Sequence, residues 1–392
     1  MKKENCRLCN SKDLELKLKL QPTPLATEFV KNACNQDCID LDLYQCLNCK
    51  HYQLLEIVDP NRLFNKYVYT SEVSKSVTSH FKNYADLVKE KFLEKNDLII
   101  DIGSNDGTFL KNFNEYNILG IDPATEIAKT ANKNGINTIN SFLTVSLAND
   151  ICNKYGKAKV ITANNVFADI DNLNEAIYAV KKMLKKDGVF IFEVSYFYDV
   201  MKKTLFDTIY HEHLSYHTIN PLIMFFKKHN LELFKVDFIN THGGSIRGYV
   251  SFSDIYKNEI IEEKIEPELF TQFCKNIDLV KNQLKQFIEE KRDEGAKFAG
   301  YGAPAKMTTL MYNIGLSKYD IEYIVDDSEL KQGLLSPGKN IKIVNSNKIM
   351  ELNSDYLIIF AWEMADEIIE KNNKFKKNGG KFIIPLPEFK II

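Results

Sequence analysis

Beyond about residue 80 the chain alternates between short runs that are almost wholly apolar and longer stretches with apolar positions at helical spacing. Leu98-Ile99-Ile100-Asp101-Ile102, Ile118-Leu119-Gly120-Ile121, Lys159-Val160-Ile161-Thr162-Ala163 and Val189-Phe190-Ile191-Phe192-Glu193-Val194 are runs of the first kind. Strands buried on both faces read this way, and strands separated by helices imply a parallel sheet with crossovers. The rhythm resumes at Lys297–Tyr301, Ile321–Val325 and Asp355–Phe360, after an acid- and lysine-rich helical stretch at 259–294. This predicts a second Rossmann-like unit. The first 50 residues differ, with short alternating strands (Leu14–Leu20, Leu41–Gln45) set among polar residues.

At 392 residues the chain is long enough for two or three domains of roughly 100–200 residues each. Hydrophobic residues make up 44% and charged residues 27%, as in a soluble globular protein. Lys+Arg numbers 51 against 53 Asp+Glu, and only Arg7, Arg62, Arg247 and Arg292 are arginines. No basic excess exists to grip phosphate backbones, so nucleic acid is excluded as the expected partner. The polar N-terminus lacks a signal-peptide core, and Leu222–Phe226 and Tyr356–Trp362 fall far short of the ~18 apolar residues of a spanning helix. The expectation is a cytoplasmic chain with no membrane partner, a monomer or small homo-oligomer, whose cysteines are not disulfides.

Six of the eight cysteines lie before residue 50. Cys6-x-x-Cys9 and Cys46-x-x-Cys49 are two knuckles of the spacing that lets paired thiolates reach one tetrahedral ion. Together they predict a closed, structural Zn²⁺ site, which supplies stability to a segment with little apolar content. Cys34 and Cys38, in the 36-residue insertion between the knuckles, are read as free thiols, and Cys152 and Cys274 as single buried small residues.

The first apolar run breaks into Gly103-Ser104-Asn105-Asp106-Gly107-Thr108, with Phe109-Leu110 expected to open a helix. Glycines at 103 and 107 suit a sharp turn that lets a ligand approach the backbone. Asp122 ends the next strand, 21 residues after Asp101, where a ribose diol is usually held. Gly-x-x-x-Gly is not the dinucleotide fingerprint, which favours S-adenosylmethionine over NAD. Asn164 and Asn165 close a further strand at the same sheet edge, so Asp101, Gly103, Asn105, Gly107, Asp122, Asn164 and Asn165 form the expected cofactor site.

Tyr210-His211-Glu212-His213-Leu214-Ser215-Tyr216-His217 holds three of the seven histidines. It lacks His-Glu-x-x-His and therefore is not a zinc-protease helix. Histidine titrates near neutrality and tyrosine holds or relays a proton, so the cluster reads as a proton-transfer site. The expected catalytic order is His213, then Tyr210, then Glu212 as the orienter of an imidazole, and His211 is placed at the substrate. A hydrogen-bonded histidine cluster without catalytic role is the alternative. Farther on, the turn Gly302-Ala303-Pro304-Ala305-Lys306 follows Tyr301, and Lys306 offers a point charge to a pyrophosphate. Tyr301, Lys306 and Arg247, the last following Gly243-Gly244-Ser245 and facing a phosphate or a carboxylate, are the other expected substrate contacts.

Taken in order, the two knuckles, Gln21-Pro-Thr-Pro-Leu-Ala26, Tyr67-x-Tyr69-x-Ser71, Asp101–Gly107, Tyr210-His-Glu-His213, Gly243-Gly244-Ser245, Gly300-Tyr-Gly-Ala-Pro-Ala-Lys306 and Val325-Asp-Asp-Ser328 span nearly the whole chain. The pattern resembles the nucleotide-sugar C-methyltransferases of the tylosin type, which methylate carbon 3 of a nucleotide-linked 4-keto sugar. The resemblance implies an α/β protein with a class I S-adenosylmethionine methyltransferase domain (69–250), an N-terminal zinc-binding domain (1–68) and a C-terminal Rossmann-like domain (251–392) closing the substrate site. It also implies that Tyr210, Glu212 and His213 line the active site, with His213 as base, and that Tyr67 or Tyr69 contacts the cofactor. Where the family commonly has histidine after Asn-Val-Phe-Ala, this chain has Asp169, which leaves the acceptor atom open. The alternatives are O- or N-methylation of a related sugar, a non-catalytic zinc and Rossmann binding module, or, less favoured by the turn spacing, an NAD-dependent sugar oxidoreductase.

Overall fold

The computed structural model describes residues 1–64, 75–260 and 263–392; Tyr67, Tyr69 and Ser71 of the expected motifs lie outside them. Contacts group the chain into two compact units, each assembled from separated segments. The first comprises Met1–Glu15, Tyr44–Tyr196 and Leu214–Lys264, and the second Leu16–Leu43, Phe197–His213 and Ile265–Ile392. Strands β1 (Leu14–Lys19) and β2 (Asp42–Cys46) carry the chain out of the first unit and back.

In the first unit β3 (Tyr52–Leu54) pairs antiparallel with β9 (Ser215–Tyr216). The main sheet contains β4 (Leu98–Ile102), β5 (Asn117–Asp122), β6 (Thr138–Asn140), β7 (Ala158–Asn164), β8 (Leu184–Ser195), β10 (Leu231–Ile239) and β11 (Ser245–Phe252). Its order is β6-β5-β4-β7-β8-β11-β10, with β4 to β8 parallel and the last two antiparallel. The order reverses between β4 and β7, and the crevice beyond the carboxyl ends of those strands is where a doubly wound sheet binds ligands. All five residues of β4 are buried, as its unbroken apolar run requires. Ile99, Val160, Val189 and Ile191 meet Phe81, Tyr84 and Val88 of the helix Lys75–Phe92, together with Phe109 and Phe113. Helix Val145–Tyr155 begins where Thr144 Oγ1 accepts the Leu147 amide (3.1 Å).

One expected element is absent. The turn after β4 leads only into a single 3₁₀ turn, Leu110–Phe113, in place of a helix. Asn112 Nδ2 donates to the carbonyls of Thr108 and Phe109, both at 3.0 Å, and such back-bonding competes with helix propagation. The cysteines behave as thiols. Cys34 and Cys38 are exposed, whereas Cys152 and Cys274, expected inside, are only half-buried.

The second unit holds β12 (Phe298–Tyr301), β13 (Ile324–Asp326), β14 (Ile343–Asn345), β15 (Tyr356–Ile359), β16 (Lys381–Ile384) and β17 (Lys390–Ile391), in the order β14-β13-β12-β15-β16-β17. All pairs are parallel except the last, so the predicted second Rossmann-like sheet is present, with its own reversal between β12 and β15. The 25-residue helix Leu269–Asp293 buries Phe273, Ile277, Val280, Leu284 and Ile288, a stripe at helical spacing. Helix Lys306–Ile314 stops at Gly315, whose φ of +85° and amide bond to Met311 form a left-handed C-terminal cap. The Gln21–Ala26 motif belongs here: the Gln21 amide donates to Asn313 Oδ1 (3.0 Å), and Thr23 pairs with Ile39.

Candidate active site

The two knuckles have the same backbone. Cys6 donates its amide to Ser11 and Cys46 to His51, both at 2.8 Å. Asn10 and Lys50, with φ of +69° and +65°, return their amides to the carbonyls of Cys6 and Cys46. The turns bring the four sulfurs within 4.8 Å of one another, with Cys6–Cys49 and Cys9–Cys46 at 3.5 Å. Tetrahedral zinc with Zn–S of about 2.3 Å spaces sulfurs roughly 3.8 Å apart, so the donor set fits the ion. Arg7, between the first two ligands, is buried; its Nε lies 3.0 Å from Asp171, and Nη1 donates to the Leu54 carbonyl. The metal centre is thereby fastened to the segment after β7.

At the carboxyl ends of β4 and β7, Asp101 is buried and its Oδ1 accepts from Thr162 Oγ1 (2.6 Å) and Asn164 Nδ2 (3.3 Å). Burial pushes its carboxyl up to about 7 against the pull of Thr162, with Asp122 adding to the rise. Asp122 shapes the turn: Oδ2 accepts the Asn105 amide and Oδ1 the Ala124 amide, both at 2.8 Å. Burial raises it too. Gly103 and Gly107 have φ of +68° and +80°, as the sharp turn demands. Their missing side chains make room for protein, however: a Cβ would strike Val166 at Gly103 and Ile136 at Gly107. Ser104 Oγ and Asn164 Oδ1 are buried with no hydrogen-bond partner among the described residues, so both are polar atoms suited to a polar cofactor. Asn165, at φ +56°, ties its amide to the Glu193 carbonyl (2.8 Å) and leaves its side chain exposed.

In the histidine cluster burial separates scaffold from accessible groups. Within the second unit His211 is buried, donates Nε2–H to the Ile39 carbonyl (3.2 Å), and is pushed by burial down to about 4. Glu212 Oε1 accepts from Thr27 Oγ1 (2.7 Å), and burial raises its carboxyl. Only Tyr210 and His213 of the Tyr210–His213 motif remain partly exposed. Tyr210 Oη lies 2.8 Å from His213 Nε2, and His213 Nδ1 lies 3.0 Å from the Thr208 carbonyl. A carbonyl accepts only, so Nδ1 carries the proton and Nε2 is the basic nitrogen. The group that orients this imidazole is thus a backbone carbonyl, the role expected of Glu212. In the first unit His217 stacks on His51, with centroids 5.3 Å apart. The residues after His213 are anchored beside β7: the Ala168 carbonyl accepts the amides of Leu214 (2.9 Å) and Ser215 (3.0 Å).

The remaining expected substrate contacts have protein partners. Arg247 meets a carboxylate, that of buried Glu193: Nε is 2.6 Å from Oε1 and the guanidinium lies 3.6 Å over the Tyr84 ring. His80 Nε2 lies 2.8 Å from the other oxygen of Glu193. At the second glycine turn the Gly302 and Ala303 amides are taken by Val325 O (2.7 Å) and Asp326 Oδ2 (2.6 Å), so those two donors do not face a pyrophosphate. Tyr301 Oη donates to Asp327 (3.2 Å), while Lys306 pairs with Glu363 and rests 3.9 Å over the Trp362 ring.

Residues 6–64 match the model of a zinc binding domain, 77–236 that of a methyltransferase domain, and 240–387 that of a C-methyltransferase C-terminal domain. The C-methyltransferase NovU of Streptomyces niveus is 30% identical over 99% of this chain and 97% of its own. The chain belongs to the same C-methyltransferase family. A protein of Methanocaldococcus jannaschii is 32% identical over 34% of the chain and 52% of its own length. A solved S-adenosylmethionine-dependent methyltransferase from Clostridium acetobutylicum covers 44% of the chain and 92% of its own at 17% identity, with a TM-score of 0.35, a likeness too slight to add to the assignment.

As an S-adenosylmethionine-dependent C-methyltransferase with a four-cysteine centre, the protein contains polar groups that its linear sequence did not single out. Glu193 and His80 are 113 residues apart and meet only in the fold. Asp207 and Trp362, 155 apart, are joined by a 2.7 Å hydrogen bond. Asp207 stands three residues before Tyr210, and Trp362 is the only tryptophan of the chain; those were the available signals.

Proposed function

We propose that this C-methyltransferase acts on a nucleotide-linked keto sugar, transferring a methyl group to the carbon beside the ketone, with His213 as the base. The observation that carries the reading is the Tyr210–His213 pair: it is the accessible part of an otherwise buried motif, and its imidazole presents Nε2 as the basic nitrogen. A ketone acidifies the neighbouring C–H, and a positioned histidine is suited to remove that proton. The Tyr210 hydroxyl donates to Nε2 in the resting pair; once Nε2 takes the substrate proton it would donate to Tyr210 Oη instead, which frees the phenol hydrogen for the developing enolate oxygen.

Bound S-adenosylmethionine supplies an electrophilic methyl group. Asp101, Gly103, Asn105, Gly107, Asp122, Asn164 and Asn165 are the residues proposed to hold it, with Ser104 Oγ and Asn164 Oδ1, which lack a hydrogen-bond partner among the described residues, as polar contacts. Asp101 and Asp122 shape and charge the crevice, while Asn105 and the two glycines set its turn. Cys6, Cys9, Cys46 and Cys49 would hold zinc, and four thiolates would leave it no open position, so its role would be structural. His211 serves this reading as scaffold, and Tyr301 and Lys306 are proposed for the nucleotide end of the substrate.

The test is incubation with cofactor and a panel of keto nucleotide-sugars, read by mass spectrometry for the gain of one methylene and by NMR for the atom that bears it. Methyl on oxygen or nitrogen would remove the enolate mechanism. Without cofactor, exchange of the substrate C–H in deuterated solvent is expected, and it should vanish in His213→Ala.

A further inference from the structure

Asp207 lies in the one-turn segment Phe206–Thr208, immediately before the carbonyl that faces His213 Nδ1. Its carboxyl is wholly buried. Oδ2 accepts the Trp362 indole N–H at 2.7 Å, and Oδ1 has no hydrogen-bond partner among the described residues. The Lys306 ammonium lies over the face of the same indole and is paired with Glu363. A second hold reaches the segment from the helix that begins at Lys306: Thr309 Oγ1 donates to the Ile209 carbonyl at 2.8 Å. All of these residues belong to the second unit.

A carboxyl buried with one oxygen unsatisfied costs stability that an apolar side chain of similar volume would not. Its position suggests what the cost secures. The Thr208 carbonyl can fix the imidazole only while the 206–208 turn stays in register, and Asp207 is the side chain that ties the middle of that turn to Trp362.

We propose that Asp207 is a positioning residue for His213: anchored by the Trp362 indole, it holds the Thr208 carbonyl so that the imidazole proton stays on Nδ1 and Nε2 remains the base. The proposal rests on the reading of His213 as base and adds a device that sets its tautomer. No substrate contact is assigned to Asp207 or Trp362.

The tautomer is measured directly, without turnover, by long-range ¹H–¹⁵N NMR of the histidine rings in the full zinc-loaded chain, the His213 signals being identified by their loss in His213→Gln. Wild type is expected to show the Nδ1–H pattern. Asp207→Leu and Trp362→Phe should each shift the Nδ1–H to Nε2–H ratio by about tenfold, the worth of one neutral hydrogen bond. Asp207→Asn, which keeps an acceptor for the indole, should largely restore it. Where Asp207→Leu fails to fold, Trp362→Phe decides, because it removes only the N–H and part of the ring. An unchanged Nδ1–H pattern in the folded variants, or an Nε2–H pattern in wild type, overturns the proposal. Failure of His213 as base would appear separately, as retained turnover in His213→Ala.

Discussion

The Thr208 carbonyl stands 3.0 Å from His213 Nδ1 and, by accepting a hydrogen bond from Nδ1–H, decides which nitrogen of the imidazole is basic. The Tyr210 hydroxyl is 2.8 Å from the other nitrogen. Removing the base should therefore leave binding intact. His213→Ala is expected to lower kcat by about 10²- to 10⁴-fold, with the calorimetric affinity for S-adenosylhomocysteine within about twofold of wild type. Near-normal turnover would transfer the role of base to another group.

The zinc centre predicts a different loss. Cys9→Ser leaves three sulfurs and should reduce bound zinc, counted by elemental analysis, well below one per chain. Binding free energy in structural zinc sites is on the order of 10 kcal/mol and is folding free energy. A strong chelator should accordingly lower the melting temperature of wild type but not of the variant.

Glu193 and Arg247 form a pair that is almost fully buried, at 1% and 5% exposure. Burial alone would raise the Glu193 carboxyl, but the His80 hydrogen bond and the Arg247 charge outweigh it and hold it below the usual range. Arg247→Met should cost about 3–5 kcal/mol in denaturant titrations because it strands a buried charge. Adding Glu193→Leu should recover much of that loss, and simple additivity of the two costs would argue against the pairing.

Asp101 gives the pH dependence. Its folded value of about 7 lies above the unfolded value of ~3.9, so the folded state holds its proton more tightly. The contribution to stability is full below the unfolded value and is lost as pH rises through about 7, a span worth at most roughly 4 kcal/mol. His217, which burial pushes down to about 4, opposes it over part of the same window, so the comparison of wild type with Asp101→Asn isolates the carboxyl. The variant should gain stability relative to wild type as pH rises from 4 to 8, and a constant difference would contradict the assignment.

Gly103 tests the turn. With φ of +68° and Val166 filling the space of a Cβ, Gly103→Ala should destabilise the first unit by about 1–3 kcal/mol and weaken cofactor binding. Val166→Ala in the same chain should return part of the stability by removing the collision while leaving the backbone strain.

Local chemistry made much of this legible in the linear chain. Apolar runs such as Leu98–Ile102 are strands because only a doubly covered sheet buries every residue, and Cys-x-x-Cys closes the same turn wherever it occurs. The Asp101–Gly107 turn and the Tyr210–His213 motif were visible because glycine spacing and clustered histidine and tyrosine are read along the chain, although distant partners such as Thr162, Asp122 and Ile39 complete their geometry. The exception was Leu110–Phe113, where asparagine back-bonding replaced a helix that the apolar pair Phe109-Leu110 suggested.

Partners far apart in sequence could only be supplied by the tertiary structure. Residue types identify His211, Glu212 and His213 as titratable, but only the fold shows that the first two are buried and the third stays partly exposed. Arg247 finds Glu193, and Asp207 finds Trp362, across separations of 54 and 155 residues that carry no periodicity to announce them. Hydrogen bonds and ion pairs depend on distance in space, whereas the sequence orders residues only by distance along the chain, so it specified the elements and the chemistry at hand while folding chose which groups meet.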